Sequence, residues 1–203
     1  VGANTIDNNI IRNLTSASTI AGAGTTANIC GIVMRSTTAP STVTNNKIYS
    51  LKLTTTSTTT STQISGIVWN PSSAGTNLLA RNFIHSFDVA YTTTTATAAT
   101  FTGIDNGAGT STIQNNMIRL GINDAGASVT TPLVMRGMSI GTTSATNVLH
   151  NSVYLGGTGV TPTVSANHSD AVNRSASSGT LVLRNNIFAN TRANVAAVHT
   201  NKN

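Results

Sequence analysis

The sequence predicts an all-β fold, a parallel β-helix of about six coils of roughly 35 residues with three strands per coil, and three observations predict it. An asparagine recurs at Asn9, Asn46, Asn82, Asn116, Asn151 and Asn186, at spacings of 37, 36, 34, 35 and 35 residues. A constant period in this range marks a stack of repeats that cannot bury its apolar face one unit at a time. Three short strand-like segments recur at fixed phase inside each period, and no stretch long enough for a helix carries a helical period. Composition agrees. Only 8% of the residues are charged, against about 25% in an average domain. Thr, Ser, Asn, Ala and Gly fill the gap, all five acids are Asp, and β-branched Thr, Val and Ile favour strands.

The first strand of each repeat follows a glycine: "GIVM", "GIVW", "GIDN", "GMSI", then the weaker "DAVN" and "AAVH". The second precedes the asparagine: "TIDN", "TVTN", "LLAR", "TIQN", "NVLH", "VLRN". The third follows it: "IIRNL", "KIYSL", "FIHSF", "MIRLG", "SVYLG", "IFANT". Three aliphatic columns result. Ile6, Val43, Leu79, Ile113, Val148 and Leu183 stand before the asparagine, and Ile11, Ile48, Ile84, Ile118, Val153 and Phe188 after it. Ile32, Ile67, Ile104, Met138 and Ala171 follow the glycine position. Stacked at about 4.8 Å per coil, each column becomes one apolar stripe. A sandwich would not keep this phase, and a propeller blade would need a fourth strand.

The asparagine pair marks a corner between the second and third strands, because Asn tolerates left-handed backbone and bonds nearby main chain. The second Asn is present in every repeat and is expected to form an inward ladder of stacked amides. The preceding position varies (Asn8, Asn45, Arg81, Asn115, His150, Asn185) and is expected to face solvent in part.

"NNKIYSL", "LHNSVYLGGTG" and "SASSGTLVLRNNIFANT" resemble the right-handed parallel β-helix repeats of large secreted bacterial surface proteins, many of which carry a type IX secretion sorting domain, with a fold similar to that of pectate lyases. The resemblance covers essentially the whole chain. It implies a right-handed solenoid at the cell surface or outside the cell. It also implies a compact coil, so that the segments between the third strand and the glycine strand are excursions on one edge: "LTSASTIAGAGTTANI", "KLTTTSTTTSTQIS", "DVAYTTTTATAATFT", "INDAGASVTTPLVMR" and "GGTGVTPTVSANHS". These either extend the strands and cover the core, or form a binding face for a glycan or partner subunit, or present a flat threonine array to ice. Thr56, Thr58 and Thr60 with Thr93, Thr95 and Thr97 supply the T-x-T register that ice binding would require, in two coils.

No catalytic residue, metal site or cofactor is indicated. The acids do not align, and only Asp88 and Asp124 fall close enough in phase to be neighbours. His85, His150, His168 and His199 sit at different phases, and Cys30, the single cysteine, reads as a small buried hydrophobe. Phosphate loops, nucleophile elbows and Ca²⁺ loops are absent. "NLT", "NHS" and "NRS" match the acceptor pattern for N-glycosylation. One outward column, Arg12, Tyr49, His85, Arg119 and Tyr154, three places after each ladder Asn, is a candidate strip for carbohydrate or protein.

The net charge of +6 is scattered without a basic run, which argues against nucleic acid, and no apolar stretch approaches the length of a membrane helix. Residues 1–203 read as one β-helix domain, either part of a longer chain or a stacking subunit. Five residues follow Val198 and nine more reach Asn9 of a second copy, giving 14 steps against 13 from Val33 to Asn46. End-to-end self-association or flanking β-helix segments are therefore the expected partners, with extracellular polysaccharide as a further one. A structural or adhesive role is the leading expectation, polysaccharide binding or cleavage the alternative, and ice binding the third.

Overall fold

A computed structural model describes residues 3–54, 61–90, 99–160, 167–193 and 200–202. Nearly every element is a short strand, and all the strand pairs are parallel, so each strand bonds to its equivalent one coil away. The leading sheet, before the Asn corner, contains β1 (Asn4–Asp7), β5 (Ser41–Thr44), β8 (Leu78–Ala80), β11 (Ser111–Gln114), β14 (Thr146–Leu149) and β17 (Leu181–Arg184) in that spatial order. The trailing sheet, after the corner, contains β2 (Ile10–Arg12), β6 (Lys47–Leu53), β9 (Phe83–Val89), β12 (Met117–Leu120), β15 (Ser152–Leu155) and β18 (Ile187–Asn190), with β3 (Thr15–Ser16) added beside β6. The glycine sheet contains β4 (Ile29–Arg35), β7 (Gln63–Asn70), β10 (Thr100–Asn106), β13 (Val134–Ile140), β16 (His168–Arg174) and β19 (Thr200–Lys202). The fold is an all-β parallel solenoid with three strands per coil. The six ladder positions delimit about five full turns of roughly 35 residues, one fewer than a count of asparagines suggests.

The registers place the aliphatic columns side by side. Ile6 pairs with Val43, Val43 with Leu79, Leu79 with Ile113, and Ile113 with Val148. Ile48 pairs with Ile84, Ile84 with Ile118, and Ile118 with Val153. In the central coils these side chains are at most 1% exposed. On the glycine sheet Ile32, Ile67, Ile104 and Met138 stack, but Met138 pairs with Val172, so Ala171 does not belong to that column. Ala171 takes the place of the glycine instead. The reason for glycine there is space: a Cβ on Gly66 would lie 2.6 Å from Ile84 Cγ2 and 2.6 Å from the Gly103 carbonyl oxygen. The glycine column lets the trailing-sheet isoleucines reach across the narrow interior.

The last strand also differs from expectation. "AAVH" (196–199) lies outside the described residues, and Thr200–Lys202 pairs with His168–Asp170. Lys202 is thus the equivalent of Asp170 and, five coils back, of Cys30. Val198, from which the loop length for head-to-tail stacking is counted, lies outside the described residues.

The excursions begin by prolonging the trailing strands. β6 and β9 run on past a bend and bury Leu51, Leu53, Phe87 and Val89. Phe87 packs edge-on against Phe101 of β10, centroids 5.8 Å apart at 82°. At these described residues the excursions widen the core, as the covering alternative required. The threonines Thr56, Thr58, Thr60, Thr93, Thr95 and Thr97 lie outside the described residues.

Candidate functional site

The Asn pair divides its labour. Asn8, Asn45, Arg81, Asn115, His150 and Asn185 all adopt left-handed backbone, with φ between 53° and 57°, and turn the chain. The residue after each points inward. Asn82 Nδ2 donates to Asn116 Oδ1 at 3.0 Å, and the Asn82 backbone N–H donates to the same oxygen at 3.0 Å. Its second amide proton goes to the Val43 carbonyl in the coil on the other side, at 3.0 Å. Asn82 Oδ1 in turn accepts from the backbone N–H and Nδ2 of Asn46, both at 3.0 Å. The pattern repeats from Asn9 to Asn186. Asn46, Asn82, Asn116 and Asn151 are each 1% exposed, so a buried amide with both protons and its oxygen engaged is scaffold. The Asn-to-Asn bonds also have a direction: each ladder Asn gives its backbone N–H and one amide proton to the Asn of higher number and accepts at Oδ1 from the Asn of lower number.

The outward face of the trailing sheet gathers the predicted strip. Arg12 pairs with Tyr49, Tyr49 with His85, His85 with Arg119, and Arg119 with Tyr154. The Tyr49 and His85 rings stack at 4.9 Å and 6°, and Phe83 lies 4.3 Å from His85. The Lys47 ammonium sits 4.8 Å from the Tyr49 centroid and Arg12 5.9 Å from it, with Arg12 Nη1 donating to Tyr49 Oη at 3.3 Å. The ring faces are therefore taken up by neighbouring coils and cations, leaving mainly edges for a ligand. Tyr154, 40% exposed, instead lines an apolar trough of about 380 Å³ with Phe83, Met117 and Ile187. Residues one place after each ladder Asn, among them Lys47, Phe83 and Met117, complete this face. Sequence reasoning passed over them, although their alternation with the named strip was legible.

A second left-handed column was not foreseen. Asn13, Ser50 and Ser86 have φ of 59°, 56° and 59°. They bend the trailing strands and open a concave groove of about 510 Å³, lined by these three with Thr15, Lys52, Asp88, Asn123, Asp124 and Ala125. Asp88 and Asp124, neighbours in phase, both line it. Lys52 pairs with Asp88 at 3.0 Å. Ser50 Oγ is buried and makes no hydrogen bond. The turn at Asn123, whose Oδ1 accepts from the N–H groups of Ala125 and Ala127, closes one end.

His85 and Arg119 link strip and groove. Arg119 Nη2 donates to Ser86 Oγ at 3.3 Å, and His85 Nδ1 shares a hydrogen bond with the same oxygen at 2.8 Å. Burial, then Arg119 and Lys47, push His85 down to about 4 against the pull of Asp124, so the ring is neutral at pH 7. Ser86 is 1% exposed and its oxygen already accepts from Arg119, so the pair orients the imidazole and does not present a nucleophile.

No family model, curated protein or solved structure matches this chain. The parallel solenoid therefore rests on its own registers.

Elsewhere the polar residues are structural. On the outer side of the glycine sheet Gln63 Nε2 donates to Ser65, Thr102 and Asp105. Burial raises Asp105 above the usual carboxylate range. His168 Nε2 lies 3.1 Å from Asp170, itself 1% exposed. Cys30 is only partly buried, not the fully buried residue expected, and its thiol donates to the Gly24 carbonyl at 3.8 Å; desolvation pushes it up to about 11, which keeps it protonated. Of the glycosylation matches, Asn167 is 2% exposed and out of a transferase's reach. Among the described residues no helix is long and apolar enough to cross a membrane, and no group of three His, Cys, Asp or Glu is placed to hold a metal.

Proposed function

We propose that the chain is a non-enzymatic structural or adhesive β-helix, placed outside the cell or on a bacterial surface, that continues end to end with flanking solenoid coils or with further copies of itself. The observation that supports this is the polarity of the ladder. Every ladder Asn gives its backbone N–H and one amide proton to the next Asn and offers Oδ1 to the one before, so any coil is a template for the next. Asn186 presents its backbone N–H and an amide proton where a following Asn would stand, and Asn9 presents Oδ1 where a preceding one would. A contact of this heterologous kind does not close on itself and gives an open filament. The kinship with type IX secretion substrates belongs to this proposal and rests on the repeat motifs alone.

Electron microscopy over a concentration series tests it: rods lengthening with concentration are expected for self-stacking. An intact mass of the native protein above that of this chain would assign the continuation to flanking coils. Isolated short particles at high concentration, with a native mass equal to this chain, would overturn both forms. A polysaccharide-binding or polysaccharide-cleaving role is the second proposal, favoured by the gathering of Arg12, Tyr49, Arg119 and Tyr154 on one face. A glycan array with these four substituted tests the binding, and release of unsaturated products would reveal a lyase. Ice binding depends on threonines outside the described residues, and thermal hysteresis is its assay.

A further inference from the structure

We infer that the concave groove at the second left-handed column is a binding site for a short neutral oligosaccharide, and that this groove, not the stacked aromatic strip beside it, is where the adhesive surface meets its ligand. This deepens the polysaccharide-binding proposal and is independent of end-to-end stacking.

Two features of the groove point to this ligand class. Its volume of about 510 Å³ falls in the range of small-ligand sites, roughly 300–1,000 Å³. Its lining alternates hydroxyl, amide, carboxylate and ammonium groups from Thr15, Ser50, Lys52, Asp88, Asn123 and Asp124. Sugar hydroxyls both donate and accept, so they satisfy such a mixed lining where an apolar ligand would leave it unpaired.

The charge balance then narrows the class. Lys52 is committed to Asp88 at 3.0 Å, and the Arg119 guanidinium held on Ser86 Oγ is offset by the Asp124 carboxylate in the lining, so an anionic polysaccharide finds no surplus positive charge. Neutral His85 behind the wall adds no cation. The groove floor is paired sheet on one side, with Lys52 N–H bonded to the Leu14 carbonyl at 2.9 Å and Ala90 N–H to that of Leu53 at 2.8 Å, while on the other side the pairing of β9 with β12 stops at His85. The groups also repeat along the solenoid axis at the spacing of paired strands, about 4.8 Å. That spacing suits a chain of hexoses lying across the strands. The Asn123 turn stops such a chain at one end.

Calorimetric titration of the intact chain with cellotetraose, maltotetraose, laminaritetraose, mannotetraose and the acidic tetragalacturonate tests the inference. At least one neutral tetrasaccharide is expected to bind, and tetragalacturonate more weakly. Asp124→Ala, in an exposed turn, and Asp88→Asn are expected to weaken binding at least tenfold with unchanged circular dichroism. Arg12→Ala and Tyr154→Ala, outside the groove, should leave it within twofold. Absence of neutral binding at millimolar ligand would overturn the inference. So would a preference for tetragalacturonate, or loss of affinity in Arg12→Ala or Tyr154→Ala with Asp124→Ala unaffected; that last result would return the site to the strip. Rod length in the electron microscope reports on stacking separately and should not change in Asp124→Ala.

Discussion

The side chain of Asn82 contacts both neighbouring coils, giving its two protons to Val43 and Asn116 and taking two from Asn46. Replacing it with alanine leaves the Asn46 backbone N–H without its acceptor in a dry interior, at about 1–3 kcal/mol, and removes the amide bonds to Val43 and Asn116 and from Asn46 Nδ2, at about 1 kcal/mol each. Asn82→Ala is therefore expected to lose about 3 kcal/mol or more in urea titration. Asn9→Ala, on an exposed residue at the first rung, should lose under about 1 kcal/mol. His85 gives a pH signature. Its folded value is depressed to about 4, and an unfolded His titrates near 6.5. The neutral ring's contribution is thus complete above about pH 6.5 and is lost as pH falls toward about 4, because the unfolded chain takes up the proton first. After solvent screening of this half-exposed group the loss is about 1 kcal/mol. Subtracting the stability profile of His85→Gln from that of the wild type should isolate this slope, and parallel profiles would count against the assignment.

At the scale of the strand, the decisive positions are those where backbone must pass close or turn left. Gly66→Ala puts a methyl 2.6 Å from Ile84 Cγ2 and from the Gly103 carbonyl oxygen. One of these is main chain that cannot yield, so a loss of about 2–3 kcal/mol is expected by thermal melting. Gly126→Ala, whose Cβ meets nothing within 4 Å, is the control; it should lose only the strain of its φ of 77°, about 1 kcal/mol. The first corner was legible because Asn-Asn recurs and Asn suits left-handed backbone. The second was not. Ser50 and Ser86 are ordinary strand neighbours by composition, and nothing in "YSLKL" or "HSFDV" announces a left-handed φ. They adopt it because Leu51 and Phe87 must turn back into the core, a demand set by packing. The candidate groove was hidden for the same reason.

For the whole molecule, stability is a sum over coils and their interfaces, so the ends open first. Native-state hydrogen exchange should find the amides of Ile67, Ile84, Ile104 and Ile118 slowest, since these side chains are at most 1% exposed. The amides around Ile10 and Ile187, both 68% exposed, should exchange orders of magnitude faster. Uniform protection from end to end would mean that the stack opens as one unit.

The sequence by itself determined the period, the strand order, the two columns flanking the Asn corner and the ladder. A parallel stack forces equivalent residues of successive coils into contact, so a one-dimensional repeat maps directly onto three-dimensional neighbours. Only the tertiary structure decided what lies between phases. The exchange of Ala171 for Val172 in the apolar column, the register of Thr200–Lys202, the self-stacked rings of Tyr49 and His85 and the groove that joins Lys52, Asp88 and Asp124 all depend on how the three sheets meet around the core. That is fixed by packing across the interior, which no periodicity along the chain records.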